Sequence, residues 1–164
     1  MATSKAIDSH VQPTNPDDFE SFFEELPCAV LVLGEDLRLI SFNKAAFEHM
    51  YEGTQEVLRV MVGDAIGCVN AFQGCGTTPA CRECGLRRTA EESLRTGDSA
   101  CVLAPMTIRR GERHAQVLFL MATNCVDRRE GKLVLLTLQD LSELRGAEAG
   151  VCGPPRSTAR PIRD

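Results

Sequence analysis

Residues 26–50 read LPCAVLVLGEDLRLISFNKAAFEHM. Residues 28–33 form an unbroken apolar run, consistent with a buried strand. Gly34-Glu35-Asp36 has turn chemistry, and residues 37–42 read as the returning strand of a hairpin. Asn43 is then placed to cap a short helix, KAAFEHMY, with Ala45, Ala46, Phe47 and Met50 available for the core.

Upstream, NPDDFESFFEELP carries a helix start signal. Asn15 can cap, Pro16 fits the first helical position, and Asp17 and Asp18 suit the positive end of the helix dipole. Phe19, Phe22, Phe23 and Leu26 fall at i, i+3, i+4 and i+7, one apolar stripe on an acidic amphipathic helix that Pro27 ends. That stripe either packs on its own domain or forms a dimerisation surface. Downstream, residues 53–66 carry no clear period. RECGLRRTAEESLRTGD reads as a helix ending at Gly97, with Leu86, Ala90 and Leu94 along one side. Residues 99–109, 114–126 and 132–140 read as strands, separated by turns at Gly111-Glu112 and at 128–131. Two strands at the front and three at the back predict an α+β domain: one five-stranded antiparallel sheet, with helices on one face and an added N-terminal amphipathic helix.

The whole chain of 164 residues fits one domain with tails: a flexible segment at 1–15, a domain at 16–146 and a disordered Gly/Pro/Arg-rich tail at 147–164. A hydrophobic fraction of 43% against 25% charged residues is that of a globular chain with a real core. The net charge of −5 makes no electrostatic case for direct nucleic-acid or membrane partners, and one Tyr with no Trp leaves little for base stacking. The polar N-terminus has no signal-like apolar region, and apolar runs such as 28–33 are too short to cross a bilayer, so the expected location is cytoplasmic. In that reducing compartment the eight cysteines are not expected to form a disulfide framework.

The order of elements and certain phrases resemble the PAS domain family over residues 17–146. LPCAVLVLGEDLRLISFNKAAFEHM is similar to the family's opening hairpin, which ends in Asn before a short helix. VGDAIG is similar to the turn leading into the middle of the domain. LVLLTLQDLSELR is similar to the closing strand, which ends in an Asp-hydrophobic-Ser/Thr step and runs into a signalling helix. The resemblance implies a sensor or interaction module with a cavity between sheet and middle helices. It also implies relay to an output such as a histidine kinase or transcriptional regulator, expected here in another chain or a further portion of the protein.

Residues 67–85, GCVNAFQGCGTTPACRECG, hold Cys68, Cys75, Cys81 and Cys84 at spacing C-x6-C-x5-C-x2-C. Four thiolates so close in sequence can close on one ion or cluster. Cys81 and Cys84 are expected at the start of the following helix, where the dipole lowers thiol pKa. Gly67, Gly74, Gly76 and Gly85 relieve crowding and leave backbone N–H groups free to point at sulfur. Zinc is usually held by two close pairs, and only one is present, so an iron–sulfur cluster is favoured over a structural zinc on the same four cysteines. Some PAS sensors carry an oxygen-labile 4Fe–4S cluster on four central cysteines, and this arrangement is similar in kind, although the spacing is not their two-pair pattern.

A thiol–disulfide oxidoreductase using Cys81 and Cys84 would explain only half the set, and four unrelated packing cysteines are the bland alternative. Cys28, Cys101, Cys125 and Cys152 have no ligand spacing, with Cys28 expected in the core. A haem on His49 or His114 is disfavoured because the longer central helix has no histidine. Arg87 and Arg88 read mainly as a solvated helix face. Glu24-Glu25 and Glu91-Glu92 fall on exposed faces, and no catalytic constellation is found, so the chain is not expected to be an enzyme.

Overall fold

The computed structural model describes residues 16–50 and 58–142. The segments at 1–15 and 147–164, the cap at Asn15, Cys152 and the signalling end beyond Ser142 lie outside the described residues. Helix α1 (Pro16–Glu24) precedes the hairpin β1 (Ala29–Leu33) and β2 (Leu39–Phe42). Helices α2 (Lys44–Phe47) and α3 (Val62–Ala65) and two 3-10 turns, Val69–Ala71 and Pro79–Glu83, lead to α4 (Gly85–Thr96). Strands β3 (Ala100–Arg110), β4 (Arg113–Arg128) and β5 (Gly131–Asp140) complete an antiparallel sheet of order β2-β1-β5-β4-β3. The α+β class and the five-stranded sheet are as the sequence predicts.

Strand alternation explains the core. On β4, Val117, Phe119, Met121 and Thr123 are buried, and their neighbours are more open. Their cross-strand partners on β5 include Leu136 and Leu138, also buried. Leu31, Leu33 and Leu39 extend the same face across the hairpin. The face is closed by Val62, Ala65, Ile66, Leu86 and Ala90 from the middle segment. Complete burial of each large aliphatic side chain contributes roughly 1.5–3 kcal/mol.

Asn43 is fully buried, and its side chain is saturated. Its Oδ1 accepts from Val30 N at 2.9 Å and Ala46 N at 3.1 Å, and its Nδ2 donates to Cys28 O at 2.9 Å and Leu26 O at 3.3 Å. It is the N-cap of α2, as the sequence predicts, and also the tie between that helix and β1.

Several expectations need correction. Leu37 lies not in a strand but in the hairpin turn, at φ 61°, its N–H bonded to Gly34 O. Its side chain is nevertheless buried. Phe47 does not enter the core: it is 63% exposed and stacks on Phe42. Cys28 precedes β1 and is exposed, because the chain is still turning there and Asn43 holds only its carbonyl. Helix α1 stops at Glu24, before Pro27, so Leu26 lies beyond it; Phe19, Phe22 and Leu26 are exposed and Phe23 is half-buried, so the apolar stripe is not packed on its own domain.

Helix α4 ends at Gly97 in the left-handed cap that the sequence predicts. It is clamped to the sheet by a buried polar pair, Ser93 Oγ to Thr123 Oγ1 at 2.6 Å, with Thr123 also donating toward Thr89 O. At its other end Gly85 lies so close to β3 that a Cβ there would stand 3.2 Å from that of Ala104.

Substituting Asn43→Ala strands the buried Val30 N–H and two carbonyls. The expected loss is on the order of 3 kcal/mol of folding stability, read as a lower urea midpoint at unchanged slope. An unchanged midpoint would show that Asn43 is not a structural tie.

Candidate functional site

The middle segment lies over β3 and β4, and all four cysteines of residues 67–85 line the pocket between them, with a volume of about 590 Å³. Three are held by regular backbone. Cys68 N donates to Gly63 O at 2.8 Å, and Cys68 forms a one-residue antiparallel bridge with Ile108 on β3. The bridge is continued by Arg109 N donating to Gly67 O at 2.8 Å. Cys81 sits in the 3-10 turn Pro79–Glu83 with its N–H on Thr78 O, and Cys84 is the N-cap of α4, its carbonyl accepting from Arg88 N. Cys75 lies in the loop between the two 3-10 turns, where its N–H donates to Asp64 Oδ1 at 3.0 Å.

Amide donors meet the sulfurs of Cys68, Cys75 and Cys81. Cys81 Sγ accepts from Gly76 N at 3.3 Å and pairs with Thr78 Oγ1 at 3.2 Å. Burial is the largest influence on the Cys81 thiol and raises its pKa. The Thr78 hydroxyl, the Gly76 and Thr78 amides and the Arg87 guanidinium together outweigh burial and leave the thiol below its ordinary value. Burial dominates at Cys75 and, helped by the Asp64 carboxylate and against the Gly63 amide, pushes its pKa up to about 11. Cys68 is also raised, first by burial and then by Cys84 and Cys81, with the Asn70 and Ala71 amides opposing. The charges of neighbouring thiols thus contribute to the shifts at Cys68 and Cys75.

The donor chemistry fits a thiolate-held metal centre: four cysteines, one pocket, and N–H groups aimed at sulfur. The set is gathered but not closed. Among the described residues no three His, Cys, Asp or Glu side chains stand in an arrangement ready to hold a metal ion.

Cys81 and Cys84 do not start one helix together, as the spacing suggested. Cys81 lies on its own 3-10 turn and Cys84 caps α4. The acidity of Cys81 comes from the Thr78 and Gly76 hydrogen bonds and from Arg87, not from the α4 dipole. Arg87 is therefore more than a solvated residue. It pairs with Glu91 at 2.8 Å, and its guanidinium occupies the space a Gly76 side chain would need. Arg88 is exposed and pairs with Glu83, as expected of a solvated face. Sequence reasoning missed Gly63, Asp64 and Thr78. VGDAIG reads only as a turn, and Thr78 stands directly before Pro79 in a position that reads as loop.

Of the histidines expected to be inert toward haem, His49 packs edge-on against Phe119 at 5.9 Å. Its pKa is lowered by burial and by Arg110, against the raising effects of Asp140 and Glu48. Cys101 is exposed on β3, and Cys125 is half-buried on β4.

A lowered pKa means more thiolate at neutral pH and faster alkylation; a raised one means the reverse. In metal-free protein, Cys81 should therefore react with iodoacetamide at lower pH than Cys68, and Cys75 last, with a midpoint near 11. Site-resolved mass spectrometry across a pH series checks the order. Equal midpoints for Cys75 and Cys81 would contradict the described surroundings.

No protein-family model matches the chain, and no curated protein matches it. Solved structures do. The PAS domain of nitrogen regulation protein NR(II) from Vibrio parahaemolyticus superposes with a TM-score of 0.52 at 11% identity, over 73% of this chain and 94% of that one. A complex of VqmA from Vibrio cholerae with ligand and DNA gives 0.57 at 14% identity, over 92% of this chain and 64% of that one. An RNA-binding Light-Oxygen-Voltage receptor gives 0.60 at 17% identity, over 90% of this chain and 39% of that one. The chain thus spans nearly all of the isolated PAS domain and less than two thirds of the two longer proteins. With the sheet order and the middle segment as described, the chain has the fold of a PAS domain.

Proposed function

We propose that this PAS module is a sensor whose middle segment holds a metal centre through Cys68, Cys75, Cys81 and Cys84. The favoured centre is a 4Fe–4S cluster. The observation that carries the reading is the gathering of all four cysteines around one pocket, with amide donors on the sulfurs. A cluster in that position supplies one-electron chemistry and sensitivity to oxygen.

The chain's own residues supply the rest. Thr78 and Gly76 hold the Cys81 sulfur, and Cys84 joins the site to α4. Cys68 and Gly67 join it to β3 through the Ile108 bridge and the Arg109 amide. A change in the segment at 67–85 therefore bears directly on the sheet and on α4, and through them on the chain ends. Relay of this kind requires two arrangements of the segment that differ in free energy. The output is a partner such as a histidine kinase or transcriptional regulator. The regulatory protein and the DNA-bound protein among the structural neighbours support that class of output.

The exposed Phe19 and Phe22, with Leu26 and the half-buried Phe23, would be covered by a second copy of the chain in a homodimer. Deleting the chain up to Leu26 should then halve the mass measured by light scattering; an unchanged oligomeric state would remove α1 from the interface.

Protein purified without oxygen should be brown, with iron and acid-labile sulfide, and each of the four Cys→Ser variants should lose most of both. A colourless protein with stoichiometric zinc overturns the cluster and supports a structural zinc site on the four cysteines. A metal-free protein that reduces disulfides, and still does so after Cys68→Ser, supports a thiol oxidoreductase on Cys81 and Cys84.

A further inference from the structure

The four thiols are not held alike. Cys68 is bonded into β3, Cys81 lies in a 3-10 turn, and Cys84 caps a helix of 12 residues. Cys75 has none of these supports. It stands between Gly74 at φ 98° and Gly76 at φ 92°, in the left-handed region that costs glycine little and other residues more. Its backbone N–H is taken by a side chain, Asp64 Oδ1, at 3.0 Å.

The surface beneath the thiol is also particular. A Cβ on Gly63 would lie 2.6 Å from Cys75 Sγ, closer than real atoms approach, and a tight 3.1 Å from Cys75 Cβ. Gly63 O is meanwhile the acceptor for Cys68 N. The pair Gly63-Asp64 on α3 thus seats two of the four cysteines. Gly63 gives room for one thiol and a carbonyl to the other backbone, and Asp64 fastens the loop.

We propose that Asp64 is a positioning residue for the cysteine set: it latches the Gly74–Gly76 loop and so makes Cys75 the releasable member of the four. The inference rests on the reading of the four cysteines as one ligand set, and it names how that set opens. When the Asp64 bond breaks, the left-handed glycines on either side let Cys75 turn away while Gly76 N keeps its bond to Cys81 Sγ, so the 3-10 turn at 79–83, the β3 bridge and α4 are left in place. The other three thiols stay where their backbone holds them. A ligand set with one hinged member can open and reclose without unfolding the domain.

The test uses metal-free full-length protein, so a chain that proves to carry no metal fails the earlier reading and leaves this one to be decided separately. Cysteine alkylation rates are measured at fixed pH by peptide mass spectrometry in wild type, Asp64→Ala and Asp64→Asn. Asp64→Ala should speed alkylation of Cys75 about tenfold, the scale set by losing one hydrogen bond to a charged acceptor, with Cys68, Cys81 and Cys84 within about twofold of wild type. Asp64→Asn keeps an acceptor oxygen but removes the charge that helps to raise the Cys75 thiol, so it should speed Cys75 alkylation by clearly less than Asp64→Ala does.

An unchanged Cys75 rate in Asp64→Ala overturns the latch. Equal acceleration in Asp64→Asn also overturns it, because the effect is then one of charge on the thiol. A rise at all four cysteines overturns the selectivity. If Asp64→Ala does not fold, Asp64→Glu takes its place: it keeps the charge and moves the oxygen by one methylene. A selective rise at Cys75 supports the latch, and a wild-type rate overturns it.

Discussion

The buried side chain of Asn43 fixes the entry to the fold. Its four hydrogen bonds join the end of the N-terminal segment, the first strand and the first residues of α2. Each partner is a backbone group, so the constraint acts on the path of the chain and not on side-chain packing. β1 lies second in the sheet, between β2 and β5, and Asn43 thereby sets where the C-terminal strands can dock. A polar group at 0% exposure is tolerated because nothing on it is left unpaired. The same residue would be a heavy cost if any one of those partners moved away.

The pocket depends on a second constraint, the spacing between α4 and the sheet. At the far end of the helix Ser93 and Thr123 meet inside the core, a contact that sets both distance and rotation because a hydroxyl pair is directional. At the near end Gly85 brings the backbone against Ala104. Between these points Leu86 and Ala90 fill the gap with small and medium side chains. The segment before α4 is thereby held over β3, and its cysteines have only the pocket to face. The volume of about 590 Å³ results from where the helix is pinned, not from a lack of core residues.

Much of this was legible in the residues. The strand runs, the Asn43 cap and the Gly97 stop follow from local rules that tertiary packing here reinforces. The crowding of four cysteines into one segment was legible as well, and that segment lines one pocket. What was not legible depends on approach in space. Phe47 looked like a core residue by composition, yet α2 is a single turn and leaves it beside Phe42 on the surface. Cys81 and Cys84 looked like one helical face, but the chain breaks direction between them: Cys84 has extended backbone, at ψ 117°. Ser93 appears in sequence as one more polar position of an amphipathic helix, and only its partner on β4 shows it to be interior. Asp64 could be read as an acidic residue in a turn, since its partner is eleven positions away in the chain.

The two connections from the cysteine segment to the rest of the domain differ in kind. The link through Cys84 enters α4, whose far end is pinned by Ser93 and Thr123. The link through Cys68 and Gly67 consists of backbone contacts to Ile108 and Arg109 near the end of β3. β3 is an edge strand of the sheet, with β4 as its partner strand. β4 is also the strand whose Leu118 receives Ser142 and Leu141 from the chain leaving the sheet: Leu118 N donates to Ser142 Oγ and Leu118 O accepts from Leu141 N. A continuous hydrogen-bonded route thus joins the segment that carries the thiols to residues 141–142 across β3 and β4.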